Sequence, residues 1–406
     1  MLQRILDRLF LRRHFWRYAT FSEVAELYAS RLMRLFALKI VSVFTSVFLY
    51  QSGYELSFIA FFWLGFYVLK VVFSWPAAKL IAWRGPKHAT LISNIISAAA
   101  MAFLPFVNNP QFGLIALGLW CALQACSGSM NDLAYLVDFS KVKSMKHAGK
   151  EIGYMTIVEK IATGVSPLIG GLLALYFGPE VVMVISALFF LFSAIPLLMT
   201  PEPTRTNRLL NFSGFPWRLT YRSLVAEMAA GFDVFATLTA WSLFMIVVVF
   251  TSGGDQVYAE IGLVTSITLI VSLYISHLFG RVIDRRRGGE LLRAATIGNS
   301  ILHLVRGLIT TPVGVVMTNT LNEAATSGYV MPFMRGMFDT ADRSGKRVEY
   351  IFLIEMAVNT GGALAALLLG VLFLLSEGLT SFQIFFALTA GITLLIATPK
   401  FVLYKK

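Results

Sequence analysis

Charged side chains are scarce in this chain: they make up 14% of its 406 residues, where a soluble globular domain carries about a quarter. That deficit excludes ordinary folding in water. Cysteine is scarcer still. Cys121 and Cys126 stand inside one apolar run, five positions apart and on different helix faces. They imply no disulfide framework and read as small core residues. The histidines, His14, His88, His147, His277 and His303, are scattered, with no H-E-x-x-H pair and no phosphate-binding glycine loop. Metal hydrolysis and direct use of ATP therefore drop out. Without a nucleophile–base or metal constellation an enzyme is not expected, and no metal or cofactor is implied.

What is there is apolar. Hydrophobic residues make up 57% of the chain, and the mean hydropathy is +0.72. A bilayer core about 30 Å thick takes roughly 20 helical residues to cross. Runs of that length are predicted at 30–50, 56–76, 89–107, 112–134, 153–177, 181–199, 226–250, 260–280, 291–309, 312–332, 351–375 and 382–398. Barrel strands, which alternate over about ten residues, do not fit runs this long. The fold class expected is an all-α polytopic membrane protein with twelve transmembrane helices.

The net charge of +12 follows the same layout. One set of alternate loops carries Lys79, Arg84 and Lys87, then Lys141, Lys143, Lys146 and Lys150, then Arg205, Arg208, Arg218 and Arg222. The set continues with Arg285, Arg286 and Arg287, with Arg343, Lys346 and Arg347, and with Lys405 and Lys406. The other set, 51–56, 108–111, 178–180, 251–260, 310–312 and 376–381, has no Lys or Arg. Under the positive-inside rule both termini are cytoplasmic in a cell (plasma or inner) membrane. The basic excess is topological, and no nucleic-acid partner is implied. The first 17 residues lack a signal-peptide core. Leu2, Ile5, Leu6, Leu9 and Phe10 against Arg4, Arg8 and Arg12 suit a short amphipathic helix on the inner leaflet, with a frayed basic tail as the alternative.

The chain is written twice, which fixes architecture. Gly149-Lys150, Tyr154 and Glu159 match Gly345-Lys346, Tyr350 and Glu355, each 196 positions on. Ala25-Glu26 matches Ala226-Glu227, and Leu123-Gln124 matches Leu321-Asn322. The expected organisation is an N-terminal six-helix half over 1–199, including the amphipathic segment 1–17. A cytoplasmic linker over 200–222 and a C-terminal six-helix half over 223–406 follow. Parallel repeats of this kind belong to transporters whose halves rock around a central site.

The loop Gly280-Arg281-Val282-Ile283-Asp284-Arg285-Arg286-Arg287-Gly288 resembles the G-x-x-x-D-R-x-G signature of the major facilitator superfamily, its second glycine displaced by one. The first-half counterpart, from Ala78 to Lys87 with Gly85 inside it, is degenerate: Ala82 and Trp83 replace Asp and Arg. The fifth span, with Gly153, Ala162, Ser166-Pro167 and Gly170-Gly171, is similar to the motif of proton-coupled exporters (antiporters) in that superfamily, two glycines being replaced. The resemblance implies a secondary transporter working by alternating access, a small-molecule substrate, a proton or other coupling ion, and a monomer. An uncoupled facilitator or a lipid flippase of the same fold is the alternative. Asp284 beside Arg285 is expected to latch the inner gate. Gly170, Gly171 and Pro167 are expected to let the fifth helix pack closely and bend.

Polar residues inside the spans give the candidate pathway, because ionisable groups in a bilayer face a cavity or a partner. Asn319, Asn322, Glu323 and Thr326 form one stripe on the tenth span. Gln124, Ser127 and Asn131 form another on the fourth, Asp233, Thr237 and Trp241 one on the seventh, and Arg31, Arg34, Lys39 and Thr45 one on the first. In the facilitator fold these four helices line the central path. Glu323 is the leading candidate to carry a coupling proton, with Asp233 second. There a carboxylate gives up hydration, so a proton or a cation must offset its charge. Arg34 is expected to pair with one of the two in one conformation and to release it in the other. Glu159 and Glu355, present in both repeats, are expected to pair with cytoplasmic Arg or Lys groups of the other half or to cap a neighbouring helix. His303 and Arg306 are expected to bond to carbonyl groups.

Overall fold

The computed structural model of the protein describes residues 21–142, 148–198, 209–250, 278–279, 283, 287–376 and 378–404. Within these bounds the chain is helical and has no strand. The helices are α1 (Phe21–Gln51), α2 (Leu56–Arg84), α3 (Pro86–Met101), α4 (Gly113–Val142), α5 (Ala148–Phe177) and α6 (Pro179–Ala194). They continue with α7 (Trp217–Phe235), α8 (Gly288–Arg306), α9 (Pro312–Ser344), α10 (Arg347–Leu375) and α11 (Leu379–Thr393).

Each expected span except the eighth coincides with one of these helices. The eighth, 260–280, lies outside the described residues but for positions 278 and 279. Among the described residues nine helices are long and apolar enough to cross a membrane. Polarity keeps α8 and α9 out of that group: α8 carries Glu290, Arg293, His303 and Arg306, and α9 carries the stripe around Glu323. An all-α, multi-pass membrane fold is thus observed, while the total of twelve rests on the sequence. The amphipathic segment 1–17 and the motif residues Gly280, Asp284 and Arg285 also lie outside the described residues.

The outer helices show which surface meets lipid. On α6, Val184, Leu188, Leu191 and Phe192 are exposed, and on α8 Ile297, Ile301, Leu304 and Val305 are exposed. In each case the spacing is that of one helix face. Exposed apolar stripes this long are stable only against hydrocarbon or a partner.

Sequence punctuation sets the corners. Gly85 adopts φ +96° between α2 and α3, and Pro86 opens α3. A residue with a Cβ would be strained at that φ, and proline suits the first helical turn. Helix α7 begins at Trp217, inside the segment expected as linker to 222. Trp217, Arg218 and Tyr221 belong at a membrane interface, where aromatic and basic side chains anchor helix ends. The helix then runs on through two wide π-helical turns, Ala236–Ala240 and Met245–Val249, on either side of Trp241–Phe244.

The halves meet along two seams. Helix α2 lies beside α10: Phe61 faces Gly370, Tyr67 faces Gly362, and the rings of Trp75 and Phe352 are 5.6 Å apart. Phe212, ahead of α7, closes this seam at the basic end by packing on both Trp75 and Phe352. The second seam runs along α9, where Phe139 of α4 meets Phe338 at 5.5 Å and α5 contributes Lys160. Within the C-terminal half α7 and α10 touch backbone to backbone. A Cβ on Gly231 would lie 1.8 Å from the Val358 carbonyl oxygen, and one on Gly361 would lie 1.8 Å from that of Met228. Only glycine permits that crossing.

Candidate functional site

Between the halves lies a cavity of about 420 Å³, the size of a small-molecule site. Its walls come from α1, α2 and α4 on one side and α7, α9 and α10 on the other. Of the sequence-predicted residues, Arg34, Gln124, Asn131 and Trp241 line it, as do Asn319, Asn322, Glu323 and Glu355. The polar stripes of four separate helices therefore converge on one space.

Glu323 on α9 bonds to the Lys160 ammonium of α5, an ion pair between the halves. A second cross-half pair joins Lys70 of α2 to Glu355 of α10 at 3.4 Å. Lys70 also holds Asp132 of α4 at 3.0 Å, and Arg31 reaches Asp132 at 3.7 Å and Glu159 at 3.1 Å. Arg31 stacks on the Tyr135 ring, 4.1 Å from its centre, which holds its planar head in place. Glu355 takes a further bond from Asn359 at 2.7 Å. This chain of charges crosses one end of the cavity from α5 to α10. Glu355 meets a cation of the other half, Lys70, whereas Glu159 meets Arg31 of its own half.

Arg34 pairs with neither Glu323 nor Asp233 in this conformation. Its guanidinium donates to Asn94 Oδ1 at 2.5 Å and Ser127 Oγ at 3.0 Å. Ser127 bonds to Ser97, and Ser97 donates to Gln124 Oε1 at 3.3 Å. Asp233 departs from expectation. It is buried and does not line the cavity; His303 Nε2 lies 2.5 Å away, Asn299 donates at 2.9 Å and the Tyr329 hydroxyl donates too. Arg306 then bonds to Thr237 Oγ1 at 2.9 Å and lies 5.1 Å from the Trp241 ring centre. His303 and Arg306 thus hold side chains rather than backbone carbonyls, because α7 presents a carboxylate and a hydroxyl to them. Trp241 Nε1 donates to Asn319 at 2.8 Å, tying α7 to α9 at the cavity. Pro167, Gly170 and Gly171 are buried in α5.

Lys70 and Asp132 on the wall, and Lys160, which reaches it through Glu323, are the charged groups that the sequence reading missed. Each was visible as an ionisable residue inside an apolar run, but none belonged to a stripe on its own helix. Trp63, Phe66 and Trp120 were missed also. They form an aromatic patch on the wall, with Trp63 and Phe66 5.2 Å apart and Phe66 and Trp120 6.5 Å apart.

No protein-family model matches this chain, and no curated protein does. Solved structures do. FucP, a major facilitator superfamily transporter in the outward conformation, aligns with TM-score 0.69 at 14% identity, covering 95% of this chain and 99% of that one. The human organic anion transporter MFSD10 (TETRAN) aligns with TM-score 0.67 at 13% identity, with the same coverage of each chain. A single-site variant of the E. coli fucose:proton symporter FucP gives 0.64 at 15% identity, over 92% and 97%. The chain has the fold of major facilitator transporters along nearly its whole length.

Proposed function

We propose that this protein is a secondary transporter which moves a small solute through the central cavity by alternating access, coupled to a proton carried by Glu323. It works as a monomer of two six-helix halves in the cell membrane, both termini cytoplasmic. The observation that carries this reading is the Glu323–Lys160 pair, which joins the halves with Glu323 on the cavity wall. Protonation of Glu323 removes the charge that holds Lys160. A half-buried cation that loses its partner gains nothing from staying in place, so α5 and α9 no longer favour the same arrangement and the halves are free to rock. Asn319, four residues before Glu323, and Asn322, directly before it, line the same cavity wall and offer hydrogen bonds to either form of the carboxyl. The likeness of the fifth span to exporters makes the movement outward, in exchange for a proton. That a fucose:proton symporter shares the fold supports proton coupling within this architecture.

Solutes that raise the melting temperature of the purified protein, as bound ligands do, are the ones to present to proteoliposomes loaded with a pH dye. Wild-type protein should change lumen pH as solute crosses. Glu323→Gln, which keeps size and fold, should still bind and exchange solute but leave lumen pH unchanged. Equal pH responses would remove Glu323 as the proton carrier. Solute movement by the wild type without any pH change would make the protein an uncoupled facilitator.

A further inference from the structure

The cavity wall also bears on what kind of solute fits. Its carboxylates are already held: Asp132 and Glu355 by Lys70, at 3.0 and 3.4 Å, and Glu323 by Lys160. Two wall cations hold no carboxylate. Arg34, only 4% exposed, bonds to the neutral Asn94 and Ser127. Lys39, five positions further along α1, forms no hydrogen bond or ion pair among the described residues. Asp132, Glu323 and Glu159 act on Lys39, and Asp132 on Arg34, only from beyond ion-pair distance; a cation drawn from water without a direct partner is unfavourable, and an entering anion offsets that cost. Gln124, 5% exposed on the same wall, adds a side-chain amide nitrogen that has no partner among the described residues. Beyond Lys39 the wall turns aromatic. Ser46, seven residues or about 10 Å further along α1, accepts from Trp63 Nε1 at 3.0 Å; Trp63 adjoins Phe66, and Phe66 adjoins Trp120.

We propose that the solute is a small carboxylate with a flat apolar body. Its anionic head lies against Lys39 and Arg34, and its body lies over the patch of Trp63, Phe66 and Trp120. An ammonium solute finds no free carboxylate on the described wall. The word solute rests on the transport reading above; the anion site itself does not.

The test is binding to the purified full chain of three molecules with one body: 3-phenylpropionate, its amide and 3-phenylpropylamine. The acid should raise the melting temperature and the other two should not. Lys39→Met should weaken binding of the acid at least tenfold, with Lys39→Arg staying within a few-fold of wild type. Without ligand, Lys39→Met should melt at or above wild type, because it removes an unpaired cation. A melting point several degrees lower would reveal an internal partner for Lys39 and overturn the proposal. So would failure of the acid to bind, or binding of the amine at least as tight. Octanoate carries the same head on a flexible tail, and tighter binding of octanoate would overturn the flat body. Acid that binds but does not enter proteoliposomes would defeat the transport reading and leave the anion site standing. Uptake of the amine in preference to the acid would do the reverse.

Discussion

In each half of the molecule three helices meet at one buried charge, and the two junctions differ in sign and in company. In the N-terminal half α1, α3 and α4 meet at Arg34, which bonds to the neutral Asn94 and Ser127. In the C-terminal half α7, α8 and α9 meet at Asp233, which bonds to His303, Asn299 and Tyr329, with Arg306 beyond. By the sequence repeat these are equivalent helices: first, third and fourth against seventh, ninth and tenth. Asp233 finds basic groups within the protein and lies off the cavity. Arg34 finds no carboxylate and lies on the cavity wall. The supply of counter-charge, more than the residue type, separates a junction that holds helices together from one that faces the cavity.

The sharpest way to break this comparison is to remove each charge in turn. Asp233→Ala leaves His303 and Arg306 buried without their anion, a loss on the scale of about 3–5 kcal/mol for a broken buried pair. Unfolding in detergent should show it as a large drop in melting temperature, smaller in Asp233→Asn, which keeps hydrogen-bonding atoms in place. A variant as stable as wild type would mean that the C-terminal junction does not depend on its charge.

Next in size is Arg34→Met. It leaves Asn94 and Ser127 short of a donor, at about 1–3 kcal/mol for buried groups left unsatisfied, while removing an uncompensated cation. Its melting point should therefore fall less than that of Asp233→Ala. An equal or greater fall would erase the distinction between the two junctions.

The sequence shows the membrane class and loop polarity well because both are one-dimensional. A run of apolar residues needs no partner elsewhere to be recognised, and the absence of Lys and Arg from alternate loops is a count along the chain. The stripe of Asn319, Asn322 and Glu323 is legible for the same reason: its members share one helix and one period. Lys160 and Lys70 were not, since each acts through a carboxylate of the other half, and no spacing within a helix records that distance. Asp233 was misplaced by the same regularity that found Glu323. Positions 233, 237 and 241 share a face only on an uninterrupted α-helix. The π-helical turn at Ala236–Ala240 inserts extra chain and shifts the phase, leaving Thr237 and Trp241 on the cavity wall and Asp233 turned to α8.

The smallest expected effect concerns Glu159 and Glu355, which the repeat places at matching positions and the fold gives different partners. Glu159 accepts from Arg31 at 3.1 Å, both in the N-terminal half. Glu355 meets Lys70 at 3.4 Å across the seam between the halves. A bond inside one half is kept when the halves move as bodies, whereas a bond across the seam favours the arrangement in which it forms. Glu355→Gln preserves size, and Lys70 keeps Asp132 at 3.0 Å, so no cation is stranded and the fold should stand. The balance between conformations should then shift by about 1–2 kcal/mol, the scale of coupling between sites. Spin labels at Trp83 and Tyr221, exposed at the basic ends of α2 and α7, with Cys121 and Cys126 replaced by alanine, would report that balance as a distribution of distances. Glu355→Gln should reweight it toward the separation less populated in wild type, and Glu159→Gln should leave it unchanged. If Glu159→Gln moves the distribution as far, the two carboxylates share one task inherited from the repeat, and their different partners carry no difference in role.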